Sequence, residues 1–351
     1  MNIKTEKIQL PGHETWTLFQ LENDQGMSVH FLNFGGIITN ISVPDRNGDY
    51  KNVVLSYKNF EEYLENSGYL GALIGRVAGR IKQASFQIDG KEYKVEANEG
   101  EHHLHGGSQG FHQRLWQASS FENDGEIGVT LSCLSPGMEG GYPGTLKVEV
   151  TYRLTNKNQL VIDYAAETSQ TTVLTLTNHS YFNLSGHPDT TVHHHTLRLN
   201  SARFAELDEE LIPTGEWLNL KETPFGFQNQ RKLSSSLSYE TPQQIVVNGG
   251  IDHYFLFDGY NKPDILLKDE KSGRTLEIET DQPGAVIYTS NNLPAGKDLA
   301  KGQTKKHGGI CIETQSYPAS LHNSGFPEIV LTPEQPYHKR TLFKFGTETT
   351  Q

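Results

Sequence analysis

Cysteine is almost missing from this sequence: Cys133 and Cys311 are the only two in 351 residues. One pair cannot make a disulfide framework, and so few thiols fit a reducing, cytoplasmic setting. Long apolar runs are missing too. No stretch approaches the roughly 18 residues that a membrane helix needs. The opening Met1-Asn-Ile-Lys-Thr-Glu-Lys7 has no apolar signal-peptide segment. The expectation is therefore neither membrane insertion nor secretion. Positive charge is in short supply: 30 Lys and Arg face 42 Asp and Glu, a net −12. Such a surface repels phosphates, which disfavours nucleic acid and anionic membranes but leaves neutral small molecules open. No glycine-rich phosphate loop opens a helix; the cluster Gly68–Gly79 has the wrong order and no partnering lysine. The Gly-x-Ser-x-Gly spelling at Gly106–Gly110 is not followed by a helical run, so no serine-hydrolase elbow is read.

Helical periodicity is also scarce. Only Asn59 with Glu62 suggests a capping box, opening a short helix through Tyr63 and Leu64. What is present has a period of two. Leu146, Val148, Val150, Tyr152 and Leu154 alternate with Lys147, Glu149, Thr151 and Arg153, which predicts a half-buried strand. Leu160, Ile162, Tyr164 and Ala166 repeat the pattern. Further β-rich runs lie near 172–177, 195–200, 285–290, 308–313, 328–332 and 340–345. Asp89-Gly90, between Phe86-x-Ile88 and Tyr93-x-Val95, predicts a two-residue hairpin. No repeat or linker divides the chain. The expected fold is all-β: one domain over 1–351, a large antiparallel β-sandwich with few short helices and long functional loops.

Four polar clusters fall where strands end. In Gly75-Arg-Val-Ala-Gly-Arg-Ile81, glycines flank two arginines. This is either a tight turn presenting a guanidinium or a surface loop with solvated arginines. His102-His-Leu-His-Gly-Gly107 invites a metal, but His-His-x-His lacks the spacing that gathers ligands round one ion. The glycines after His105 imply close backbone approach. Thr177-Asn-His-Ser-Tyr-Phe-Asn-Leu184 puts His179 at a strand end, as an acid–base candidate or as a histidine satisfied by neighbouring hydroxyls. His193-His-His195 reads as a solvated loop. In Ile310-Cys-Ile-Glu-Thr-Gln315, Ile310 and Ile312 share one face, and Cys311, Glu313 and Gln315 the other. Glu313 is then either a buried carboxylate tuned upward as a base or an edge-strand residue in water. Gly249-Gly-Ile-Asp252-His-Tyr254 adds a further carboxylate.

Taken in order, these segments resemble the aldose 1-epimerase (galactose mutarotase) family. The stretches carrying the resemblance are Asn33-Phe-Gly-Gly, Gly75-Arg-Val-Ala-Gly-Arg-Ile, Leu104-His-Gly-Gly, Gly110-Phe with Leu115-Trp, Gly141-Tyr-Pro-Gly-Thr-Leu, Thr177–Leu184, Gly250-Ile-Asp-His and Glu313-Thr-Gln. The tail Asn323, Phe326-Pro, Leu331-x-Pro, Tyr337 and Thr341 also fits, so the likeness spans about the whole chain. The resemblance implies a large β-sandwich with the sugar in an open cleft across one sheet. It implies Glu313 as general base and His179 as general acid. His105 would assist near the ring oxygen and orient the sugar, and Arg80 and Asp252 would hold hydroxyls. Two departures stand out. Gly79 replaces the family's usual Asn, and Ser316-Tyr-Pro-Ala319 replaces its His-Phe-Pro-Asp.

The implied reaction interconverts the α and β anomers of free hexoses such as galactose and glucose. It needs one base, one acid and no cofactor or metal. The expected partner is a small aldose; nucleic acid and membrane are not expected, and the chain would act as monomer or homodimer. Trp116, Tyr181, Tyr254 and Tyr317 are candidates for an aromatic platform under the sugar, or for the core. Three rivals remain. A hexose-phosphate epimerase would use the same pair, with Arg76 and Arg80 on the phosphate. A sugar-binding module would leave that pair idle. A lyase or hydrolase on a similar sandwich is the third; glycoside hydrolysis would use Asp252 and Glu313 and leave the histidines without a role.

Overall fold

The computed structural model describes residues 1–187, 189–221, 223–259 and 262–348. Among them, three large antiparallel sheets dominate. The first is a meander of five neighbouring strands from Asn2–Ile8 to Tyr50–Asn52. The second has nine strands, in the order Gln117–Asn123, Glu126–Ser135, Leu146–Thr155, Gln159–Thr168, Tyr337–Thr347, Arg274–Thr280, Ile265–Asp269, His195–Leu199 and Arg231–Lys232. The third has six: Tyr181–Phe182, Ile310–Gln315, Gly284–Tyr288, Asp252–Phe257, Ser201–Leu207 and Pro213–Asn219.

The alternation seen in the sequence builds these layers. Along Leu146–Thr155 the five apolar positions are buried, Lys147 and Glu149 are exposed, and Thr151 and Arg153 are half-buried. The apolar faces meet in one core that joins Phe31, Tyr152, Ile162, Phe182, Ile278, Ile312 and Phe343. Truncating a residue here costs typically about 2–5 kcal/mol. The Asp89-Gly90 hairpin forms between Ser85–Ile88 and Lys91–Lys94, with both turn residues at positive φ.

Two local expectations need correction. Residues Phe60–Leu64 form a 3-10 turn, and Asn59 makes no side-chain cap bond. The capping box lies instead at Thr241 and Gln244, opening the short helix Pro242–Val246, where proline already occupies the first turn. The triplet 193–195 is a solvated turn only in part: His194 is exposed and His193 half-buried, but His195 is not. His195 begins a strand of the nine-stranded sheet, pairs with Asp269 and is buried, its Nε2 accepting from the Leu184 N–H at 2.9 Å.

Candidate active site

Strand Ile310–Gln315 lies inside the six-stranded sheet, between Tyr181–Phe182 and Gly284–Tyr288, and all six residues are buried. Ile310 and Ile312 point into the sandwich core. Glu313 and Gln315 line a cavity of ≈ 250 Å³ on the opposite face. The edge-strand reading of Glu313 therefore fails: both neighbouring strands pair, and the carboxylate is only 3% exposed. Burial, then the nearby Asp252 carboxylate, push its pKa well up, against a smaller downward pull from Arg80. Its Oε2 has no hydrogen-bond partner among the described residues.

His179 enters this cavity from the turn between Thr177–Asn178 and Tyr181–Phe182. Its backbone is clamped on both sides. Its N–H donates to the Ala72 carbonyl at 2.9 Å, and its carbonyl accepts from the Gly71 N–H at 3.1 Å. The ring Nε2 lies 3.5 Å from Glu313 Oε1, and Nδ1 lies 3.5 Å from Cys311 Sγ. Burial pulls the imidazole pKa down to about 4. Burial thus acts oppositely on the two groups, and both effects favour a neutral pair carrying one proton.

His105 arrives from the short pairing of Arg80–Ile81 with His103–Leu104. The Gly79 N–H donates to His105 Nδ1 at 3.1 Å, and the His105 N–H donates to the Gly79 carbonyl at 3.2 Å. Nδ1 is thus an acceptor, so the neutral ring carries its proton on Nε2. Burial, then the neighbouring His179 and Arg80, hold this pKa well below the ordinary value. The close approach implied by the following glycines is real: a Cβ on Gly106 would stand 1.9 Å from the Gly75 carbonyl oxygen.

Arg80 grips Glu99 through two bonds, Nε to Oε2 at 2.5 Å and Nη2 to Oε1 at 3.0 Å, while Nη1 lies 4.0 Å from Asp252 Oδ2. Burial opposes its charge, but Asp252 and Glu99 outweigh that and keep it protonated. Burial raises Asp252 to about 6 despite Arg80. Arg76 lies elsewhere. It is buried and donates to Ser135 Oγ and to the carbonyls of Ser135, Pro136, Pro143 and Gly144, so it staples a loop and does not face the cavity.

The five residues singled out in the sequence, Glu313, His179, His105, Arg80 and Asp252, all line this one cavity. Of the aromatic candidates, Tyr181 and Tyr317 line it as well. Tyr254 is buried against Tyr317, with ring centroids 5.0 Å apart, and Trp116 belongs to the core. Sequence reasoning missed Tyr69, whose ring sits 4.8 Å from His105 and 5.8 Å from His179. It also missed the Glu99 clamp on Arg80. Neither carries a motif signal; only the fold brings them in.

The ligand-capable atoms of His105, His179 and Glu313 lie within 4.8 Å of one another, a spacing that would admit a cation. The hydrogen bonding opposes one. A metal-bound imidazole normally donates its outer N–H to an acceptor. His105 Nδ1 instead accepts, which leaves the proton where the metal would bind.

A sheet-face cavity of a β-sandwich thus holds a buried carboxylate against an imidazole, with an arginine–carboxylate frame beside them, groups able to take and give a proton. The model of the aldose 1-epimerase family matches residues 17–344. A galactose mutarotase of Bos taurus is 40% identical over 338 residues, covering 95% of each chain. An aldose 1-epimerase of Streptococcus thermophilus is 34% identical over 340 residues, covering 94% of each. The solved galactose 1-epimerase of Lactobacillus acidophilus superposes with a TM-score of 0.88 at 27% identity, covering 99% of both chains. The chain belongs to the aldose 1-epimerase family and is an isomerase of that family.

Proposed function

We propose that this enzyme interconverts the α and β anomers of free hexoses such as galactose and glucose, with Glu313 as general base and His179 as general acid. The observation that carries the reading is the 3.5 Å pair of His179 Nε2 and Glu313 Oε1, buried in a sugar-sized cleft. Ring opening takes the proton from the anomeric hydroxyl and gives one to the ring oxygen. The C1–C2 bond then turns, and the ring closes on the other face. The pair holds one proton: burial favours it on Glu313, and ring opening runs from the tautomer in which it sits on His179. With the proton on the other partner it runs the reverse step, so nothing is consumed. Each group supplies roughly 10²–10⁴-fold. His105, protonated on Nε2, donates a hydrogen bond and orients the sugar but is a poor proton shuttle. Arg80 and Asp252 hold hydroxyls, and a misplacement of about 1 Å costs roughly 10²-fold.

The phosphorylated-hexose alternative is disfavoured by charge. Arg76 is spent on a loop, and Arg80 already faces two carboxylates, so the cavity sets one cation against Glu99, Asp252 and Glu313. The relatives named galactose mutarotase support galactose as a substrate. Among the described residues no helix is long and apolar enough to cross a membrane. Two free thiols, Cys133 and Cys311, support work in the cytosol. In this reading the chain functions as one unit over 1–351, as monomer or homodimer, without metal, cofactor or nucleic acid.

The test follows the optical rotation of freshly dissolved α-D-galactose and α-D-glucose, with EDTA present throughout. Wild type speeds the drift to equilibrium, whereas Glu313→Gln and His179→Asn lose most of that effect. A wild type inert on both sugars refutes the proposal.

A further inference from the structure

One buried acceptor in the cleft has no part in this chemistry. Gln315 ends strand Ile310–Gln315, is fully buried and lines the same cavity as Glu313. Its Nε2 donates to two main-chain carbonyls, Ala78 at 3.2 Å and Ser316 at 3.2 Å. Carbonyls only accept, so the nitrogen end must face them and the orientation of the amide is fixed. Oε1 is then the free end, and it has no hydrogen-bond partner among the described residues. A buried acceptor left this way is costly unless something donates to it.

Strand alternation puts Glu313 and Gln315 on one face, about 6.7 Å apart along the chain. If Glu313 meets the anomeric hydroxyl, Gln315 is too distant for the adjacent hydroxyl and matches one across the ring. We propose that Gln315 Oε1 is the acceptor for a second sugar hydroxyl, at C3, C4 or C6, and so selects free aldoses that carry it. The assignment rests on the sugar-binding reading above. It adds a reason why phosphorylated or etherified sugars fit poorly: a carbonyl oxygen can take an O–H but cannot pair with a phosphate or ether oxygen, which also only accept.

The experiment measures kcat/KM by polarimetry for galactose and for its 2-, 3-, 4- and 6-deoxy analogues, with wild type, Gln315→Met and Gln315→Glu. Wild type should lose roughly 10- to 100-fold on one of the 3-, 4- or 6-deoxy sugars, mainly through KM. Gln315→Met should lose a similar factor on galactose while treating that deoxy sugar no worse than wild type does. Gln315→Glu keeps an acceptor and should restore part of the discrimination. A deoxy penalty of equal size in wild type and Gln315→Met overturns the assignment. So does a wild type indifferent to the 3-, 4- and 6-hydroxyls, a result that needs no variant to fold. A wild type inactive on galactose and glucose sinks the sugar reading itself, and Gln315 falls with it; either of the other failures leaves that reading standing.

Discussion

Replacing Glu313 by glutamine should cripple the enzyme and strengthen the protein. The side chain keeps its shape and loses only the ability to take a proton. Removing a general base costs roughly 10²–10⁴-fold in kcat, equivalent to about 3–5 kcal/mol on the barrier. Stability moves the other way. The carboxyl's pKa is pushed well up by burial and by Asp252. A raised folded pKa means that the charged form is penalised in the folded state. The wild type accumulates that penalty as pH rises from the unfolded carboxyl value of about 4.3 to the folded pKa, at about 1.4 kcal/mol for each unit between them, and the loss is constant above. Glutamine never does. Urea unfolding at pH 7 and pH 9, paired with polarimetry, reads both effects. Glu313→Gln should be more stable than wild type at pH 7 and at least as much so at pH 9. A variant that is less stable at both pH values would mean that the carboxylate holds the fold together, and the acid–base reasoning would be wrong. Retention of more than about a tenth of wild-type kcat would remove Glu313 as the base.

The activity profile should be broad, because the working form of the Glu313–His179 pair holds one proton. Rates fall on the acid side as a second proton arrives near the His179 value of about 4, and on the alkaline side as the pair loses its last proton; a single transition near pH 6.5 would contradict this. His105→Gln keeps a donor where Nε2–H stood, so it should retain at least about tenfold more kcat than His179→Gln, measured at saturating galactose. Gly106→Ala places a Cβ 1.9 Å from the Gly75 carbonyl at a φ of +85°; urea titration should show a loss of more than about 3 kcal/mol, and a loss under about 1 kcal/mol would refute the close packing. Ten histidines have lowered pKa values, against two acidic side chains raised, Asp252 and Glu313. Between about pH 6.5 and 4 the unfolded chain therefore binds more protons, and stability should drop as pH falls; greater stability at pH 5 than at pH 7 would reverse the sign.

Much of the fold could be read from period-two alternation, because one residue step reverses the face of a strand. That rule placed Leu146–Leu154 correctly and put Glu313 opposite Ile312. It also set Gln315 beside Glu313, although its role depends on a carbonyl at Ala78, 237 positions away in sequence. Motif order identified the family and the five cavity residues. Solvation was harder to read. His193-His-His195 is polar throughout, yet His195 is buried because its strand pairs with Ile265–Asp269. Arg76 and Arg80 sit in one motif and looked equivalent. Arg76 ends among the carbonyls of a distant loop, and Arg80 between two carboxylates. Tyr69 and Glu99 reach the cavity only through tertiary packing, which local pattern does not encode.

The three residues 78–80 act as a jig. The carbonyl of Ala78 turns the Gln315 amide, the N–H of Gly79 sets the tautomer of His105, and the side chain of Arg80 stands by Asp252. Three groups that line the cleft are thus indexed to one short piece of main chain. A shift of that piece would misalign all three together, so damage here should register as a correlated loss across every sugar tested rather than as a change of preference.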